Sequence, residues 1–133
     1  MACVIIGDSI AVGIHAQAPS CAMLAHKGWT STRWHQRYRT LRVDADRVVI
    51  SLGSNDGHGD TAGQIAAIRA QVEARHVVWI VPACNLRAAR AVVAEAARHG
   101  DALLWIRGLS PDGVHPTGRG YRSLEQRSRL AQR

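Results

Sequence analysis

Two runs, Val48-Val49-Ile50 and Val77-Val78-Trp79-Ile80-Val81, are apolar at every successive position. A strand with one face in water alternates between apolar and polar residues. A strand apolar on both faces has to be covered on both, which is the condition of a parallel sheet between helical layers. Three more short runs, ACVII, CAMLAHKG and DALLWIRG, bring the strand candidates to five, each followed by polar or glycine punctuation. Between them the pattern predicts helices over about 29–41, 61–75 and 87–99, a last one over about 116–131, and a short one over about 10–18. Ile65, Ile68 and Val72 mark an apolar stripe on the second of these. Strands alternating with helices predict a three-layer α/β fold with a five-stranded parallel sheet. At 133 residues and 47% hydrophobic content the chain suits a single domain over 1–133, with no repeat or linker inside it.

Several classes are disfavoured at once. The longest apolar runs are of strand length, far below the ~20 residues of a membrane-spanning helix. No basic leader and no small-residue cleavage site precede the first strand, so a signal peptide is not expected, and a cytoplasmic or virion-associated setting is. Cys3, Cys21 and Cys84 are widely spaced in apolar surroundings with no CxxC pair, and are expected as reduced core residues rather than a zinc site. No metal or other cofactor is called for. The formal charge of +7 comes almost wholly from arginine, a bias that either a polyanionic partner or coding composition can produce.

In open parallel sheets ligands bind beyond the carboxyl ends of the strands, so the loops GDS, KGW, GSND, PACN and SPDGVHP are where chemistry is expected. Ser9 follows the first strand where Gly7 permits a tight bend and a helix begins, and free backbone N–H groups at such a start favour an oxyanion. A serine there is equally an ordinary helix cap. Asp112 and His115 stand three apart across a glycine, and Pro116 biases His115 away from helical geometry. A carboxylate so placed can fix the imidazole tautomer and support the imidazolium; the same spacing also suits a helix cap beside a surface histidine. Asn55 offers an amide at the same rim, and Asn-Asp-Gly is also a common turn. The functional reading rests on joint occurrence, because all three loops fall at strand ends that a parallel sheet brings to one side.

With these residues assembled, the sequence resembles the SGNH hydrolases, the GDSL lipase/esterase family. GDSIAVG, HKGW, GSND and DGVHP match its four blocks in order and spacing over nearly the whole chain, the glycine block resting on Gly28 alone. The resemblance implies a flavodoxin-like α/β/α sandwich, Ser9 as nucleophile, His115 as general base and acid, and Asp112 as the orienting carboxylate. It also implies an oxyanion hole from the N–H groups of Ser9 and Gly28 and the Asn55 side-chain amide. Asp8 and Asp56 are assigned to shaping their loops. Ile10 stands where the family signature has leucine, a conservative change at a packing position. The chain is short for the family, which predicts an open, shallow site suited to a small acyl group such as acetyl, carried on a small molecule or a carbohydrate.

His15, His26 and His58 lie near these blocks without metal-ligand spacing and are expected as loop or solvated histidines. Trp29 and Trp34 suit packing or stacking on a sugar, and Trp79 and Trp105, inside strands, are expected in the core. Positive charge gathers in two segments: Lys27, Arg33, Arg37, Arg39 and Arg42, then Arg119, Arg122, Arg127, Arg129 and Arg133. They carry the alternative reading, an inert hydrolase-like scaffold whose basic face binds a polyanion such as nucleic acid.

Overall fold

The structure, a computed structural model, describes residues 2–131. In chain order the elements are β1 (Cys3–Gly7), α1 (Ser9–Gln17), β2 (Ala22–Ala25), α2 (Ser31–Tyr38), β3 (Val43–Ser51), α3 (Thr61–Ala70), β4 (Val72–Val81), α4 (Leu86–His99), β5 (Ala102–Trp105) and α5 (Gly118–Leu130). The strands are all parallel in the order β2-β1-β3-β4-β5, with β2 and β5 at the edges.

Alternation along each strand sends side chains to two cores. Val4, Ile6, Val48, Ile50 and Trp79 face Trp34 of α2, Ile65 and Ile68 of α3 and Val92 of α4. Ile5, Val49 and Ile80 face Ile10 and Ile14 of α1 and Leu124 of α5. Both faces of β1, β3 and β4 are therefore covered, as their unbroken apolar runs require. Side chains cap all five described helix starts: Asp8 on Ile10, Thr30 on Arg33, Asp60 on Gly63, Asn85 on Ala88 and Thr117 on Gly120. Among the described residues no helix is long and apolar enough to cross a membrane.

Four expectations are corrected. The helix predicted over 61–75 ends at Ala70, and Val72 opens β4 instead of extending the stripe of Ile65 and Ile68. Pairing Val43↔Val72 and Glu73↔Asp44 recruits this β-branched stretch into the sheet. Cys3 and Cys21 are joined in a disulfide, with Cα atoms 4.8 Å apart. The register Val4↔Ala22 explains it, since one residue earlier on each chain the two cysteines meet side by side. Cys84 is exposed rather than buried. Trp105 is 55% exposed, because β5 is an edge strand and this is its last residue; Trp79, on an inner strand, is fully buried. Trp34 is likewise buried, its Nε1 donating to the Leu24 carbonyl at 2.7 Å.

Candidate active site

The β1–α1 junction is fastened from beneath. Gly7 has φ +145°, and a Cβ there would collide with the Ser51 carbonyl, so only glycine lets β1 lie this close to β3 while turning. Asp8 N donates to that carbonyl at 3.0 Å. The Asp8 side chain is fully buried; its Oδ1 accepts from Ile10 N at 3.0 Å and from the Ser51 hydroxyl at 3.4 Å, while Oδ2 has no partner. Burial pushes its carboxyl up to about 6, against the lowering effect of the N–H groups of Ile10 and Ala11 and the Ser51 hydroxyl. Ser9 is the first residue of α1. Its N–H belongs to the opening turn, which has no acceptor within the helix.

The segment from 107 to 117 returns the chain from β5 to the same rim. Thr117 N donates to Gly108 O at 2.7 Å and Ser110 N to His115 O at 2.8 Å, and Leu109 and Pro116 form an isolated antiparallel bridge. Inside this small frame Asp112 Oδ1 accepts from Ser110 Oγ and Val114 N, both at 2.8 Å, and from His115 N at 2.9 Å. His115 Nδ1 lies 2.8 Å from Asp112 Oδ2. On the other side of the ring, His115 Nε2 lies 2.7 Å from Ser9 Oγ.

These two distances assign the protons. An ionised carboxylate only accepts, so Nδ1 carries the hydrogen and Nε2 presents a lone pair to the serine hydroxyl. The His115 side-chain bond, then the backbone N–H groups of His115 and Val114 and the Ser110 hydroxyl, hold the Asp112 carboxyl well below the usual carboxylate range. It remains the anionic partner throughout the range in which an imidazole titrates. The His115 and Asp112 side chains are 41% and 49% exposed, so the site is open to solvent.

Asn55 and Gly28 sit on the two loops beside this line. Asn55 is exposed, and its Nδ2 donates one hydrogen to Trp29 O at 3.1 Å; an amide nitrogen carries a second. Asp56 fastens the loop to two helix starts: its carboxylate accepts from Ser31 N at 2.8 Å, from Thr61 Oγ1 at 2.6 Å and from Ser31 Oγ. Gly28 has φ +78° and open space where a Cβ would lie, so its conformation rather than crowding calls for glycine. Beyond it, His26 stacks on Trp29 with centroids 3.8 Å apart, His26 Nε2 meets the Tyr38 hydroxyl at 2.6 Å, and Arg33 lies over Trp29. Burial, then Arg37 and Arg33, push the His26 imidazole below its ordinary value.

The structure thus brings Ser9, His115 and Asp112 into one hydrogen-bonded line and sets Asn55 beside the Gly28 loop. No hydrogen bond ties Asn55 or Gly28 to the Ser9 line directly. Sequence reasoning missed Ser110, Ser31 and Thr61 as anchors of the two aspartates; the Ser-Pro-Asp turn carries a signal for Ser110, while nothing local to Asp56 marks Ser31, 25 residues away along the chain. His15 bonds the Cys21 carbonyl at 2.9 Å, and His58 is exposed in the β3–α3 loop. Among the described residues no three His, Cys, Asp or Glu side chains are grouped to hold a metal. A hollow of about 620 Å³ beside Asp44, Asp46 and Glu73 opens at the amino ends of β3 and β4, the rim opposite Ser9. Of the basic segments, Arg33 and Arg37 cover aromatic rings and Arg129 pairs with Glu125 at 2.9 Å; Arg133 lies outside the described residues.

No family model matches the sequence, and no curated protein matches it. Solved structures do. A candidate acylhydrolase from Bacteroides fragilis is 19% identical, with a TM-score of 0.69 over 97% of this chain and 85% of its own. A GDSL-like lipase from Bacteroides thetaiotaomicron is 20% identical, with a TM-score of 0.68 over 97% and 88%. The C-terminal catalytic domain of Streptococcus pneumoniae peptidoglycan O-acetyltransferase A, solved with a methylsulfonyl adduct, is 15% identical, with a TM-score of 0.64 over 98% and 91%. The likeness establishes the fold: five parallel strands in the order 2-1-3-4-5 between five helices, the SGNH-type α/β arrangement, over nearly the full chain.

Proposed function

We propose that this chain is a serine esterase acting on small acyl esters, acetyl above all, with a carbohydrate as the favoured alcohol. The observation that carries the reading is the unbroken line Ser9 Oγ, His115 ring, Asp112 carboxylate, with contacts of 2.7 and 2.8 Å. A hydroxyl poised on the lone pair of an imidazole whose other nitrogen is held by a carboxylate is the arrangement that makes serine nucleophilic.

In the proposed reaction Ser9 Oγ bonds to the ester carbonyl carbon as its proton passes to His115 Nε2. The carbonyl oxygen becomes an oxyanion, for which the Ser9 N–H, the second hydrogen of Asn55 Nδ2 and the Gly28 N–H are the donors at hand. His115 then returns the proton to the departing alkoxide as the C–O bond breaks, leaving an acyl-serine. Water, losing a proton to the same nitrogen, repeats the sequence and releases the carboxylic acid. The openness of the site and the absence of any long insertion between strands favour a small acyl group. A polyanion-binding scaffold finds less support, since Arg33 and Arg37 of the first basic segment lie over aromatic rings and Arg129 of the second is paired with Glu125.

Hydrolysis of p-nitrophenyl acetate tests the reading. The wild-type protein is expected to release nitrophenol in a burst followed by turnover, and Ser9→Ala to show neither while keeping its circular dichroism spectrum. Wild-type rates from Ser9→Ala would remove the serine from the reaction.

A further inference from the structure

Large apolar side chains left in water at a strand edge call for an explanation. Trp105 is 55% exposed, and Leu86, the first residue of α4, is 67% exposed. Between them lies a cleft of about 380 Å³ walled by Val81, Pro82, Ala83, Leu86, Trp105 and Ile106, within the size range of small-molecule sites.

The strand registers put this cleft on the rim that carries Ser9. Gly7 pairs with Ser51, Ile50 with Trp79 and Val81 with Trp105, so one step beyond Gly7 and Ser51 the row across the sheet runs Asp8, Leu52, Val81, Trp105. Trp105 therefore stands three strand spacings, roughly 14 Å, along the rim from β1. The cleft also adjoins the loop that bears Asn55. Asn85 Nδ2 reaches the carbonyls of Gly53 and Gly57, each at 3.4 Å, and Cys84 Sγ reaches that of Ser54 at 3.5 Å.

Shape and chemistry select the occupant. An acyl chain is best held in an enclosed apolar tunnel, and this cleft is open, with one flat aromatic face and a wall of short side chains. A pyranose ring has an apolar C–H face that covers an indole and a rim of hydroxyls that stay in water. The span from β1 exceeds one such ring, so the ring on Trp105 is a different unit of the chain from the one that bears the ester. We propose that this cleft is a saccharide subsite, with Trp105 the platform for a pyranose unit of an oligosaccharide ester; the inference rests on the esterase reading for the rest of that substrate.

The test separates binding from turnover. Ser9→Ala protein is titrated with xylotetraose, cellotetraose and chitotetraose, following the Trp105 indole N–H by NMR, beside the matching monosaccharides. At least one tetraose is expected to shift the signal where its monosaccharide does not, and Trp105→Ala in the same background to weaken binding roughly tenfold, with Trp105→Phe restoring most of it. With active protein, Trp105→Ala is expected to leave p-nitrophenyl acetate hydrolysis unchanged and lower kcat/KM on the acetylated form of that tetraose by a similar factor. No turnover by the wild type would sink the esterase reading while the binding arm still decides the subsite. The subsite is overturned when no tetraose moves the indole signal. It is also overturned when Trp105→Ala selectively lowers p-nitrophenyl octanoate hydrolysis, which marks an acyl site, or abolishes a wild-type dimer in sedimentation, which marks contact with a second copy.

Discussion

The two segments that meet at the candidate site are built differently. The β1–α1 junction takes its geometry from the sheet: Asp8 is buried, Gly7 lies against β3, and the turn is tied to Ser51. The segment carrying Asp112 and His115 is exposed and takes its geometry from itself, through backbone bonds between Gly108 and Thr117 and between Ser110 and His115. The serine is thus placed by the core of the protein, and the histidine by a local frame. Substitutions on the exposed side should therefore separate activity from stability, while substitutions at the junction should be felt in stability.

The largest effect is expected from Asp112→Asn. Turnover should fall by about 10⁴, because the amide favours the wrong imidazole tautomer, while the melting temperature stays close to wild type because the group is half exposed. A melting temperature lowered by many degrees would break the contrast, showing that the loop depends on the aspartate for its fold. Next comes Asn55→Ala, for which loss of one oxyanion donor predicts a fall in kcat of ~10² to 10³ with KM little changed. A loss confined to KM would assign Asn55 to substrate binding instead.

At the junction the sign of the effect reverses. The Asp8 carboxyl is raised from 3.8 to about 6 by burial, so the folded state holds a proton that the unfolded chain has released. Stability from this group is intact below pH 4 and is lost as pH rises to about 6, a cost of about 3 kcal/mol at neutral pH. Asp8→Asn keeps an acceptor for the helix cap and removes the charge. It should be more stable than wild type in urea at pH 7.5, with the difference shrinking toward pH 4. A difference independent of pH would show that the buried carboxylate is not its cause.

Strand count, strand direction and the meeting of Ser9, Asp112 and His115 at one rim were legible in the sequence because they depend on local patterns: unbroken apolar runs, glycine bends and Asp-x-x-His before proline. What stayed hidden depends on which strand lies beside which. The exposure of Trp105 follows from β5 being an edge, and the Cys3–Cys21 disulfide from the β1–β2 register, and neither is encoded nearby in the chain. Val72 was misassigned because VEARHVV satisfies a helical stripe and a strand alike, and pairing with Val43 decides between them. Gly28 was reachable only through resemblance to a family, since one left-handed glycine in a loop has no sequence signal of its own.

Reaction with a fluorophosphonate, followed by peptide mass spectrometry, tests the central claim most directly. A hydroxyl activated by the His115–Asp112 pair should take a single adduct, on Ser9, at a rate that collapses in His115→Ala. An adduct on another residue, or labelling of Ser9 that is indifferent to the loss of His115, would contradict the account.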